Sequence, residues 1–288
     1  MEFQAIERPP QSFQQGLAGE DIQAICRRVY GGDAEVVSAM ELGGGRYNNT
    51  YLVVVTGRPQ PVVLRVAPPP DRQFRSEHQL MRNEFASIPW LSVLAPLMPQ
   101  VIAADWSHTV VGRDHMVQSF LDGVPAPDRL GDYPRSTWPG FYRHSGAIAR
   151  AVHTTTGAAF GPLAGPCRAT WSQAVLASLR DIATDLDSVG VDAADLRKVT
   201  ALAEQHSAVV DEIDEPHLLG GDRRPRHRDV HPAGRDHRGE PPCPSRCTSV
   251  TRHRMVGRRP WWMCWTTSCA TAGVRWSSAI RTGCVWIP

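Results

Sequence analysis

Lysine is all but missing from this chain: Lys198 is the only one among 288 residues, so its basic character is carried by arginine. Cysteine is almost as scarce before residue 220, where only Cys26 and Cys167 occur, and this argues against a disulfide framework there. No apolar run reaches the ~18 residues of a membrane helix, and the chain does not open with the basic and apolar regions of a secretion signal. The expected location is therefore cytoplasmic, with no membrane partner. No internal repeat is found. Beyond Leu219, Leu, Phe, Tyr and Lys are all absent, and Arg, Pro, Trp, Cys and Ser take over without a sustained apolar period.

What is present before that break reads as an ordinary α/β body, rich in Leu, Val, Ile and Ala and long enough to bury a core. The formal charge of +2 hides an asymmetry between an acidic body and an arginine-rich tail. Polar, Pro-containing residues to about Gly16 suggest an unanchored arm. A helix is expected over Asp21 to Tyr30. Strands follow at Val36 to Leu42, Tyr51 to Val55 and Val62 to Val66, rich in β-branched residues, with turn chemistry at Thr56-Gly57-Arg58-Pro59. Ser76-Glu77-His78-Gln79 matches a capping box ahead of a helix that Pro89 should end. Val101 to Ala104 and His115 to Phe120 read as strands. From Ser136 onward the pattern turns helical. Phe141, Ile148 and Val152 share one face, Trp171 to Leu186 follow a second capping box at Thr170, and Asp192 caps a helix carrying Leu196, Val199, Ala203 and Val210. Strands first and helices second suggest two lobes joined near Ser119 to Asp122.

Three features of the body carry chemistry. Gly43-Gly44-Gly45 joins two strands, and glycines there let backbone N–H groups approach phosphate oxygens, although a plain hairpin turn uses the same residues. Arg65 is a lone cation inside an apolar strand. Glu84 lies on the next helix, where it could hold that cation. Taken singly, Arg65 reads as a sheet-surface residue and Glu84 as a solvated helix position. Together they form the strand-cation and helix-carboxylate arrangement that grips nucleotide phosphates in kinase-like enzymes.

On these residues the body resembles the aminoglycoside phosphotransferase family, which has a protein-kinase-like fold. The resemblance rests on Leu42 to Tyr51, Val62 to Val66, Glu84, Met116 to Gly123 as the interlobe segment, and Ile148 to His153 as the helix before a catalytic loop. It covers roughly residues 20 to 222. It implies an α+β, two-lobed fold, with an N-terminal antiparallel sheet lobe over 1–120 and a helical, incomplete lobe over 121–222. The tail, 223–288, is expected to be disordered. The resemblance further implies that Gly43, Gly44 and Gly45, with Asn49 nearby, cover the phosphates of ATP. Arg65 would stand where Lys is usual, oriented by Glu84, and the backbone around Gln118 to Phe120 would receive adenine. Asp222 would be the catalytic aspartate that accepts or orients the acceptor's hydroxyl proton. Mg²⁺ would bridge the ATP phosphates.

The tail departs from that pattern. The family has His-Gly-Asp, four residues, then Asn, and an aspartate on the following strand. Here Gly220, Gly221 and Asp222 are followed five residues on by His227, a poor Mg²⁺ ligand. Trp and Met have one codon each, so the coding DNA for Trp261 to Thr266 is largely determined. Read two bases later it gives Val-Asp-Val-Leu-Asp, and Asp236 to Gly239 read one base later permits Ile-Thr-Gly-Val. Both readings suggest frame slips near Asp222 and before Trp261. Cys243, Cys247, His253, Cys264 and Cys269 match no paired zinc knuckle beyond the first two. Arg223 to Arg228 could meet nucleic-acid phosphates, but a basic by-product of altered reading is the preferred interpretation.

The resulting expectation is an ATP-dependent phosphotransferase acting on a hydroxyl of a small polar molecule, such as an aminoglycoside-type antibiotic. The alternatives are an inactive nucleotide-binding remnant of the family and a small-metabolite kinase of the same fold. A nucleic-acid partner is not expected, and oligomeric state is left open.

Overall fold

The computed structural model describes residues 1–219 apart from 44, 46, 124 and 125, and omits the side chains of 127 and 128. The strands are β1 (Glu2–Gln4), β2 (Val36–Leu42), β3 (Asn49–Val55), β4 (Val62–Val66), β5 (Val101–Asp105) and β6 (His115–Ser119). They form one sheet in the order β1-β2-β3-β4-β6-β5. Only the β1–β2 pair is parallel; every other neighbouring pair is antiparallel. The helices are α1 (Gly19–Tyr30), α2 (Leu80–Ser87), α3 (Ala126–Arg129), α4 (Trp138–His153), α5 (Trp171–Ser188), α6 (Ala194–Gln205) and α7 (Ser207–Val210). The chain is thus α+β, with its strands ahead of most of its helices.

Alternation sorts the sheet into two faces. Val62, Leu64 and Val66 of β4, Tyr51, Val53 and Val55 of β3, and Val117 of β6 bury one face under Ile22, Ile25 and Cys26 of α1. Arg65 and Met116, opposite each other in the β4–β6 register, project to the other face, where Met81 of α2 packs on Met116. Between β3 and β4, Gly57 takes φ +74°, a left-handed turn conformation that side chains disfavour. The β2 and β4 bounds are those the β-branched pattern predicts, while β3 begins two residues earlier, at Asn49.

Beyond α2 the chain runs through a 3₁₀ segment, Ile88–Leu97, which follows the α-helix where Pro89 removes an N–H donor. Leu91 and Leu94 of that segment pack against Ile148 and Val152 of α4, with Leu218 at the margin. This small core joins the sheet-bearing part to the helices. The last described residues return to the end of α4. Thr156 bridges His217, the Leu218 N–H donates to the Thr155 carbonyl at 2.8 Å, and the Gly157 N–H donates to the Pro216 carbonyl at 2.8 Å.

Several local expectations are corrected by contacts distant in sequence. The first seventeen residues are not an unanchored arm. They supply β1, an Arg8–Glu41 ion pair at 2.8 Å and the buried Leu17. Ser76 does not cap α2; Gln79 precedes that helix in a left-handed conformation without a side-chain cap, and the Ser76 hydroxyl donates to Asp185 instead, at 2.7 Å. At α5 half of the box forms as expected, with Thr170 Oγ1 accepting from the Gln173 N–H, while Gln173 reaches Ala169 rather than Thr170. Asp192 accepts from the Ala194 N–H at the start of α6, but from one residue before the cap position, which is Ala193. Val199, expected on the inner face of that helix, is 50% exposed. The tail, including Asp222, His227, the cysteine cluster and both suggested frame slips, lies outside the described residues.

Candidate functional site

β4 is apolar except for Arg65, which is 2% exposed. Its guanidinium forms a fork with Glu84 of α2: NH1 donates to Oε1 and NH2 donates to Oε2 at 2.8 Å. Glu84 is itself 8% exposed, so the two charges compensate each other away from water. α2 can present Glu84 because Met81, one turn earlier, anchors the helix on Met116, the residue beside Arg65 in the sheet. The pairing inferred from a strand cation and a helix acid is therefore formed.

α2 is fixed from the helical side as well. The Asp185 carboxylate of α5 accepts from the N–H groups of Arg75 and Ser76, at 2.8 and 3.0 Å, and from the Ser76 hydroxyl. Asn83 of α2 accepts from the Leu163 and Ala164 N–H groups through Oδ1. Asn83 thus ties the element carrying Glu84 to residues far along the chain, and Asp185 ties down the turn Arg75–Glu77 that leads into it.

The glycine turn joins β2 to β3. Gly43 is exposed and Gly45 half-buried, while Gly44 lies outside the described residues. A second buried charge cluster sits under the turn. Glu41, at the end of β2, accepts from Asn49 Nδ2 and Arg8 NH1, both at 2.8 Å, and from the Ile6 N–H at 3.0 Å. Asn49 is 1% exposed and precedes Thr50, the residue that pairs with Arg65. Alternation therefore directs the Asn49 side chain to the α1 face, away from Arg65. Asn49 braces the base of the turn, and its carboxamide does not line the Arg65 side.

Gln118 lies within β6, flanked by Val63 of β4 and Val101 of β5. Phe120 is half-buried just past the end of that strand. Tyr47, between the glycines and β3, donates its hydroxyl to the Glu77 carbonyl at 3.0 Å, and burial raises its phenol above the ordinary range. Among the described residues there is no group of three or more His, Cys, Asp or Glu side chains arranged to hold a metal ion. Also among the described residues, no helix is long and apolar enough to cross a membrane.

Sequence reasoning missed Glu41, Asp185 and Gln14. Glu41 carried the same signal as Arg65, a lone charge in an otherwise apolar strand. Asp185 and Gln14 carried none, since their partners lie 109 and 34 residues away.

No curated protein matches the chain. Solved structures do. One is a thermostable mutant of aminoglycoside phosphotransferase APH(4)-Ia in ternary complex with AMP-PNP and hygromycin B. It is 17% identical, with 67% of this chain and 60% of that one covered and a TM-score of 0.42. Another is the streptomycin–ATP–APH(2")-IIa ternary complex, 10% identical, with 69% and 62% covered and a TM-score of 0.41. The chain spans less than two thirds of the length of either structure, and likenesses at this level say nothing about its substrate. The family model is more decisive, because the phosphotransferase enzyme family, APH, matches residues 38–233, well over half of the sequence. The match takes in the glycine turn, Arg65, Glu84 and Asp185, and this chain belongs to the phosphotransferase enzyme family.

Proposed function

We propose that this chain binds ATP between its sheet and its helices and transfers the terminal phosphoryl group to a hydroxyl of a small polar molecule, an aminoglycoside-type antibiotic. Resistance would be the consequence. The observation that carries the reading is the buried Arg65–Glu84 fork, on the strand beside the one that the glycine turn enters, in a chain of a phosphotransferase family. In this reading residues 1–120 form a nucleotide-binding lobe and residues 121–222 a helical one.

The residues suit a triphosphate. A guanidinium offers five N–H donors in a rigid plane, and Glu84 occupies one side of that fork, which fixes where the rest of the cation points. Arg65 meets phosphate oxygens from there, and the turn at Gly43 and Gly45 covers the phosphates from above. Adenine falls to the main chain near Phe120, the first residue outside the sheet, since Gln118 is flanked by strands on both sides. In the transfer step the acceptor oxygen bonds to the terminal phosphorus and the bond to the bridging oxygen breaks, releasing ADP. Asp222 takes the hydroxyl proton. Mg²⁺, when bound, would neutralise charge on the phosphates; among the described residues no cluster of three or more His, Cys, Asp or Glu side chains is arranged to hold it.

A second reading, a nucleotide-binding remnant, is favoured by one specific feature. His227 stands where the family's pattern has Asn, Gly220 stands where it has His ahead of Gly221-Asp222, and the sequence that follows holds no Asp-bearing apolar run. Transfer from γ-labelled ATP to a panel of aminoglycosides and unrelated polyols separates the readings, with Arg65→Ala as control. Labelled aminoglycoside that disappears in the variant supports the proposal. Label on other polyols alone indicates a small-metabolite kinase. ATP bound but never consumed indicates the remnant, and no nucleotide binding at all refutes the site.

A further inference from the structure

The N-terminal arm meets the glycine turn at three points. The Ile6 side chain lies 3.6 Å from where a Cβ on Gly43 would sit. Gln14 Nε2 donates to the Asn48 carbonyl at 2.9 Å and, at the long limit, to the Gly45 carbonyl at 3.5 Å. The Phe13 ring packs on Tyr47, with centroids 5.6 Å apart. The arm is fastened on both sides of Gln14. Arg72 donates to the Ser12 carbonyl, and the buried Arg113 donates to the Gln15 carbonyl, each at 2.8 Å. Earlier in the arm, Arg8 and the Ile6 N–H are tied to Glu41 at the base of the turn.

From this geometry we infer that Gln14 is a positioning residue for phosphate binding: it holds the Asn48 carbonyl, where the glycine loop enters β3, and meets the Gly45 carbonyl, before nucleotide arrives. The inference rests on the nucleotide reading above. Glycines give a turn many accessible conformations, so ordering it against phosphates opposes binding. In a planar trans peptide the carbonyl and the next N–H point opposite ways. A carbonyl held against the arm therefore cannot rotate toward the phosphates, where its oxygen would repel theirs. Pre-ordering of this kind strengthens binding without a new contact to the ligand. Base and ribose do not touch the turn in this reading, so the effect is specific to the phosphate chain.

The test compares ATP and adenosine binding to the full chain by calorimetric titration in wild type, Gln14→Ala, Gln14→Glu and Gln15→Ala. Gln14→Ala is expected to weaken ATP about tenfold while leaving adenosine unchanged, the scale of one lost hydrogen-bonded constraint. Gln14→Glu sets a carboxylate against two carbonyls and should weaken ATP further. Among the described residues the Gln15 side chain bonds the Pro10 and Ser12 carbonyls and no part of the glycine turn, so Gln15→Ala should match wild type. If Gln14→Ala does not fold, Gln14→Asn, with its amide on a shorter stem, should show the same phosphate-specific loss. Wild-type-like ATP affinity in the Gln14 variants, or equal losses for ATP and adenosine, would overturn the inference and leave the nucleotide reading standing. A wild-type chain that binds ATP no better than adenosine overturns both.

Discussion

Arg65 is the only charged residue of β4, and its burial is tolerated because Glu84 accepts from both of its terminal nitrogens. Glu84→Ala would leave that cation buried without its carboxylate and should cost about 3–5 kcal/mol of stability, read from urea unfolding. Arg65→Lys keeps the charge but offers a point donor in place of a fork. It should retain more of the stability than Arg65→Ala and, on the proposed reading, weaken nucleotide binding relative to wild type. The two cysteines of the body differ by the same logic of burial. Cys26 lies under the sheet, and desolvation pushes its thiol up to about 11, whereas Cys167 is exposed. A folded-state value raised above the unfolded one favours the fold below the unfolded thiol's range, and that contribution is lost as pH rises through about 11. Iodoacetamide at mildly alkaline pH should therefore label Cys167 in the native chain and Cys26 only after unfolding, as peptide mass mapping would show. Arg65, Glu84 and the glycines could be picked out of the sequence because each breaks a local pattern. Asn49 could be picked out as well, but its direction could not, since only the register with β4 decides which face it takes.

At the scale of elements, α2 is the piece on which the site depends, and it is short. Eight residues give little intrinsic helical stability, so its position comes from packing on Met116, from the tie at Asn83 and from Asp185, which fixes the turn just ahead of it. Asp185→Ala removes a buried carboxylate that serves two N–H groups and a hydroxyl. It should destabilise the chain by about 2–3 kcal/mol in urea unfolding, and Asp185→Asn by less because it keeps an acceptor. The bounds of β2 and β4 were readable because β-branched runs and turn residues are local signals. The Ser76 box was misread for the opposite reason: its serine is drawn to an acid 109 residues later, a partner that no window of sequence contains.

Across the molecule, burial is uneven. The core between α1 and the sheet holds most of the fully buried apolar side chains, whereas Val199 and Leu202 of α6 and Val209 of α7 are more than half-exposed or close to it. Hydrogen exchange should follow this gradient, slowest in β3 and β4 and fastest in α6 and α7; uniform protection across both would contradict the burial pattern. Composition and periodicity were enough for strands before helices and for an abrupt change of character after Leu219, while the α+β two-lobed fold was implied by the resemblance of ordered motifs to a family. These follow from properties each residue carries into its own neighbourhood. The docking of the arm on the glycine turn, the capture of Ser76 by Asp185 and the burial of Asn49 against Glu41 were decided only by the folded chain. They depend on which distant segments share a surface, and a hydrogen bond across such a gap leaves no spacing for the sequence to display.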